Sequence, residues 1–168
     1  MAPHFMQSET SMDKSPAIRA ASRADMAFLV DSNAAMALET EHKALDRTRL
    51  ARGVAAVFDH PARGFYLIAE EGPRALGCLL VTFEWSDWRN GLWWWLQSVY
   101  VVTDARRGGV FRTLYSDVER RAAEATDVIG LRLYVERDNL RAQATYAERG
   151  MHETPYRLYE RAFAPRSA

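Results

Sequence analysis

VVTDARRGGVFRTLY, Val101 to Tyr115, marks the place where an apolar strand gives way to an amphipathic helix. Three arginines, Arg106, Arg107 and Arg112, crowd that junction. Positive charge at a helix start is ordinarily unfavourable, because the helix dipole is positive there. The arrangement makes sense if an anion sits between the arginines and the free N–H groups of the first helical turn. Gly108 and Gly109 let a ligand approach the backbone, and successive N–H groups there form an anion nest. The plain alternative is a solvated, charged turn. No G-x-x-x-x-G-K-S/T phosphate loop and no G-x-G-x-x-G dinucleotide fingerprint is present.

Outward from this junction, hydrophobic periodicity predicts the remaining elements. Val110, Leu114, Val118 and Ala122 share one face of the helix that follows, with Phe111 and Tyr115 beside them. Upstream, three strands form an antiparallel meander: Gly64 to Glu71, Ala75 to Trp85, and Leu92 to Val102. The turn Asn90-Gly91 joins the last two. Trp93, Trp95 and Gln97 fall on one face of the third strand, and Trp94, Leu96 and Ser98 on the other. The tryptophans are expected in the core, with an amine-binding face the sharper alternative.

Before the meander, Ala17 to Ala21 reads as a short strand. Ser22 and Asp25 match a helix-start pattern, and Met26, Leu29 and Val30 follow helical spacing with Asn33 as a polar exception. A second helix starts near Asp46, with Leu50, Val54, Val57 and Phe58 on one side, and His60-Pro61 ends it. After the arginine junction come a strand (Val128 to Glu136), a short helix opened by Asn139 and ended by Gly150, and a last strand (Tyr156 to Phe163). The order predicts a mixed α/β sheet with helices on its faces.

The chain has 168 residues, 48% apolar and 26% charged, with zero formal net charge. One globular domain over residues 17–164 fits that length, with residues 1–16 a flexible leader. Zero net charge argues against a broad nucleic-acid surface while permitting a local basic pocket. Cys78 is the one cysteine, so an intrachain disulfide is excluded. It lies in the apolar run LGCLLV and reads as a buried thiol. No stretch is long and apolar enough for a membrane span or a signal peptide, and a cytoplasmic protein follows by default. The histidines show no metal-ligand spacing, and no metal is expected.

Two segments carry a resemblance. Arg106-Arg107-Gly108-Gly109-Val110-Phe111 resembles the Q/R-x-x-G-x-G/A signature of the GNAT N-acyltransferase superfamily, with Phe111 where glycine or alanine is usual. Asn139 to Met151, NLRAQATYAERGM, resembles that family's later N-x-x-A-x-x-x-Y-x-x-x-G-F/M segment. Asn139, Ala142, Tyr146, Gly150 and Met151 fall in place, and the resemblance spans about Ala17 to Phe163.

The resemblance implies a GNAT fold: a mixed, mostly antiparallel sheet of about six to seven strands flanked by about four helices. It implies acetyl-CoA as co-substrate and a small-molecule or peptide amine as acceptor, attacking the thioester directly. The pyrophosphate would be held by Arg106, Arg107, Gly108, Gly109, Val110, Phe111 and Arg112. The backbone of Val99, Tyr100 and Val101 would run along the pantetheine arm. Asn139 would lie beside the coenzyme as well as capping its helix. Tyr146 would be the general acid for the leaving thiolate.

Some members carry a glutamate base on the third strand of the meander, and Trp95 stands there instead. Glu84, Glu39, Glu41 and His42 are substitutes by position, and a water chain is another. Glu39, Glu41, Trp95 and Gln97 border the acceptor side in this reading. Dimers are common in the family, so a homodimer stays open. A non-catalytic acyl-CoA-binding regulator on the same fold is the alternative, and another kind of nucleotide-binding domain is a third reading.

Overall fold

The computed structural model describes residues 15–163. Of the expected leader, residues 1–14 lie outside the described residues. The described chain divides into two compact units, the first ending at Tyr134 and the second beginning at Val135.

The first unit holds a five-stranded sheet in the order β1-β2-β3-β4-β5. Its strands are β1 (Ala17–Ala20), β2 (Gly64–Glu71), β3 (Arg74–Ser86), β4 (Gly91–Val101) and β5 (Val128–Leu133). The first four pair antiparallel, and β4 pairs with β5 in parallel. Three helices accompany the sheet: α1 (Met26–Glu41), α2 (Arg47–Asp59) and α3 (Val110–Glu124). Their starts follow local chemistry. The Asp25 carboxylate accepts from the Ser22 N–H at 2.7 Å, closing the short 3-10 turn that leads into α1. The Asp46 carboxylate caps α2 by accepting from the Arg49 N–H at 3.0 Å.

Strand alternation divides the core between the two faces. Tyr66, Ile68 and Cys78 pack with Leu29 and Val30 of α1 and Val54 of α2, and Leu80 and Tyr100 adjoin them. Leu67, Leu79, Val81, Trp94 and Leu96 alternate to the α3 side, where Val110, Leu114, Tyr115 and Val118 are buried. Phe65, Phe83 and Trp94 form an aromatic triangle there, with centroids 5.3–6.1 Å apart. Asn33 is tolerated inside because its amide donates to the Leu29 carbonyl at 2.8 Å.

The second unit contains α4 (Leu140–Ala147), capped by Asn139, whose side chain accepts from the Ala142 N–H at 3.1 Å. The Gln143 amide donates to the carbonyls of Glu136 and Arg137, bracing the turn into the helix.

Two expectations are corrected. The described residues form five strands rather than six or seven, because Tyr156 to Phe163 is not a strand. Its β-prone composition is not enough, since a strand is stabilised by cross-strand pairs and by the face it packs on. Tyr156, Leu158, Tyr159 and Phe163 are all exposed. Also, β5 stops at Leu133 rather than Glu136, because its ladder with β4 ends there at the pair Leu96↔Leu133.

Candidate acyl-CoA site

The end of that ladder coincides with an irregularity in β4. Pairing of β3 with β4 shifts between Cys78↔Tyr100 and Leu80↔Gln97, so β4 carries an extra residue opposite β3. Ser98 lies in that bulge with φ 49°, a left-handed conformation uncommon outside glycine. Past the bulge, Val99, Tyr100 and Val101 continue along β3 while β5 no longer accompanies them. Their outer edge is therefore outside the β4–β5 ladder. A strand edge outside its ladder can hold an extended amide-bearing chain by strand-like hydrogen bonds.

This strand leads straight into the arginine junction. Thr103–Ala105 forms a 3-10 turn, and Arg107 (φ 67°) and Gly109 (φ 83°) both adopt left-handed backbone conformations. Gly109 is the N-cap of α3, and no side chain caps the helix. A glycine cap leaves the first-turn donors for another acceptor.

The three arginines divide their work. Arg106 turns back onto the fold: its Nε donates to the Val101 carbonyl at 3.0 Å and its terminal nitrogen to Glu39 at 2.6 Å. Its guanidinium also lies 5.5 Å from the centroid of Tyr100. Arg107 and Arg112 are exposed and, among the described residues, enter no ion pair. Two uncompensated guanidiniums thus flank a helix start that has no side-chain cap. Phe111, at the unusual position, sends its ring along α3 onto buried Tyr115, with centroids 5.9 Å apart.

The remaining site residues fall as follows. Glu39 is held by Arg106 and also accepts from the Tyr100 hydroxyl at 3.4 Å. Glu41 ends α1 in an exposed position, and His42 closes that helix in the left-handed conformation. Glu84 is committed on both oxygens: one accepts from the Trp95 indole at 2.5 Å, the other from Arg132 at 2.7 Å. Gln97 donates to the Thr82 hydroxyl at 2.6 Å. Trp94 is a core residue, whereas Trp93 and Trp95 are half-buried on the opposite face with Glu84. In the second unit, burial pushes the Tyr146 phenol above its ordinary pKa, so it remains protonated well past neutrality. Cys78 is fully buried, and burial pushes its thiol up to about 11, which removes it as a nucleophile at neutral pH. Among the described residues, no group of three or more His, Cys, Asp or Glu side chains is arranged to hold a metal.

A family model described as the acetyltransferase (GNAT) family matches residues 28–151. The chain belongs to the GNAT acetyltransferases. Its fold is similar to that of a solved "possible acetyltransferase" from Clostridium difficile 630, at 36% identity and TM-score 0.83, covering 90% of this chain and 99% of that one. A Clostridium acetobutylicum "predicted acetyltransferase with acetyl-CoA" shares the fold at 17% identity and TM-score 0.70, over 86% of this chain and 95% of that one. So does a protein described as a transcriptional regulator from Bacillus halodurans C-125, at 18% identity and TM-score 0.74, over 88% and 99%. A search of curated proteins finds no match.

Several features of this GNAT acetyltransferase were not visible in its sequence. The Ser98 bulge has no local signal, since serine in mid-strand carries none. The Arg106–Glu39 pair joins residues 67 apart. Arg132 has one local signal, a lone arginine in the apolar run VIGLRLYV. No helix among the described residues is long and apolar enough to cross a membrane.

Proposed function

We propose that this GNAT protein is an acetyl-CoA-dependent N-acetyltransferase that moves an acetyl group to a primary amine by direct attack in a ternary complex. One observation carries the proposal. Strand β4 runs on past the end of its ladder with β5 and leads, through one short turn, into a helix start that no side chain caps, flanked by the guanidiniums of Arg107 and Arg112, which among the described residues enter no ion pair. Such a junction suits a ligand with an extended amide arm at one end and a diphosphate at the other.

In this reading, the backbone of Val99 to Val101 binds the pantetheine arm. Arg107 to Arg112 hold the pyrophosphate, chiefly through N–H groups, and Arg106 fixes the loop by gripping Glu39. Asn139 caps α4. The neutral acceptor nitrogen attacks the thioester carbonyl carbon, the C–S bond breaks, and the amine's surplus proton passes to water. The protonated Tyr146 phenol donates its proton to the departing sulfur. The phenol carries its proton at neutral pH, as a proton donor must. The single buried cysteine agrees with a reducing, cytoplasmic setting.

Phe111 and the engagement of both Glu84 oxygens favour a second reading, a non-catalytic acyl-CoA binder. Tyr146→Phe separates the two. As an enzyme, the variant loses about 10²-fold in kcat, while the acetyl-CoA KM stays within about threefold. A wild-type protein that binds acetyl-CoA yet releases no coenzyme A with any amine of a broad panel is a binder.

A further inference from the structure

Beyond the bulge-side residues, β3, β4 and β5 display an unusual group of side chains on the face that α1 and α2 cover further along. Trp93 and Trp95 stand on β4, Glu84 opposite Trp93 on β3, and Arg132 opposite Trp95 on β5. The Arg132 guanidinium lies 4.1 Å from the centroid of Trp93 and 5.7 Å from that of Trp95. Arg89, in the β3–β4 turn, places its guanidinium 5.7 Å from Trp93. Gly130 makes the stacking possible, because a Cβ there would sit 2.4 Å from the Trp93 ring.

Trp95 differs from Trp93. Its indole N–H is tied to Glu84, and its ring meets that of Tyr134 at 4.4 Å and 31°. Tyr134 is exposed, so the two rings form an open aromatic shelf where the β4–β5 ladder is about to end. The charged groups here are already engaged. Arg89 and Arg132 lie over the Trp93 ring, Glu84 accepts from Arg132 and from the Trp95 indole, and the Asp87 carboxylate accepts from the Trp88 N–H in its own turn. The face of Trp93, where a ligand cation would gain most, already carries the protein's own guanidiniums.

We infer that this shelf selects the acceptor: an amine with a flat apolar body and no second cationic centre, an arylalkylamine rather than a polyamine. The inference rests on the acetyltransferase reading and supplies its substrate class. The aromatic body stacks on Trp95 and Tyr134, leaving the amine beside the strand edge at the end of the β4–β5 ladder. Glu84 and Arg132 are positioning residues, because they fix the Trp95 plane without needing to touch the acceptor. A polyamine's distal ammonium groups find the Trp93 ring already covered by Arg89 and Arg132 and both Glu84 oxygens already engaged.

The test compares 2-phenylethylamine, propylamine and spermidine as acceptors for the full chain, with direct binding read from tryptophan fluorescence. The expected kcat/KM for 2-phenylethylamine exceeds that for spermidine at least tenfold. Trp95→Leu raises the 2-phenylethylamine KM at least tenfold, a larger rise than for propylamine, and is rescued by Trp95→Phe. Arg89→Gln, at an exposed turn, improves spermidine alone. Glu84→Gln, which keeps the shape but breaks the ion pair, shows the KM loss in weaker form if Trp95→Leu fails to fold. A preference for spermidine, or equal KM losses for all three amines, overturns the inference. Propylamine turnover without 2-phenylethylamine quenching overturns the shelf and leaves the activity standing. Saturable quenching that Trp95→Leu abolishes, with no turnover of any amine, overturns the activity and leaves the shelf standing.

Discussion

Phe111 stands where its family usually places glycine or alanine, and its ring shows how the position tolerates bulk. The ring packs one turn along α3 onto Tyr115, which is 1% exposed. Phe111 is the second residue of α3, and its side chain packs along that helix. Phe111→Ala is therefore expected to lower stability by about 1–2 kcal/mol, below the 3–5 typical of fully buried phenylalanine, by thermal or urea unfolding. Acetyl-CoA affinity should change less than about threefold. A large affinity change with little effect on stability would place the ring in the binding site. The residue and its unusual position were legible in the sequence. Where its ring points was not, because a helical side chain's direction depends on what the opposite layer offers.

At the scale of elements, the β4–α3 junction stores backbone strain beside a charge cluster. Ser98 and Arg107 both hold left-handed conformations that cost a non-glycine residue about 1–2 kcal/mol. Strain of this kind persists where the surrounding structure imposes it, often at ligand-binding turns. Arg107→Gly relieves the strain and removes one unpaired guanidinium. The expected outcome is an unchanged or higher Tm, with acetyl-CoA KM raised about five- to tenfold and made less sensitive to salt. A fall in Tm with unchanged KM would mean that Arg107 serves the fold alone. The junction was readable because its glycines, its arginines and the change of period occupy adjacent positions. The extension of β4 past the end of β5 was not, since it depends on which strands pair and how far.

On the scale of the molecule, Arg19 joins the edge of the sheet to the start of α1. It pairs with Asp25 at 2.8 Å and with Glu70 of β2 at 2.8 Å. Hydrogen bonding from Arg19, opposed by burial, holds the Asp25 carboxyl down at about 2. The unfolded chain takes up this proton near pH 4, before the folded chain does. The stabilisation is complete above about pH 4 and is lost as pH falls toward 2. Asp25→Asn should cost about 1–2 kcal/mol at pH 7, with the gap to wild type closing between about pH 4 and 2 in thermal melts. A gap that does not vary with pH would assign the loss to the helix start rather than to the ion pair.

The amino-acid sequence by itself determined where most elements lie and which family they build. Periodicity, caps and turn residues act over a few positions, so β2 from Gly64 to Glu71, the start of α3 at Val110 and the Asn139 cap could be placed from neighbours alone. Only the tertiary structure decided what the charged groups do. Glu84 and Arg132 are 48 residues apart, and Glu39 and Arg106 are 67 apart. Before the strands are aligned, each of these groups is only a solvated charge. The tertiary structure also decided that Tyr156 to Phe163 forms no strand, because a strand's hydrogen bonds belong to its partner as much as to itself.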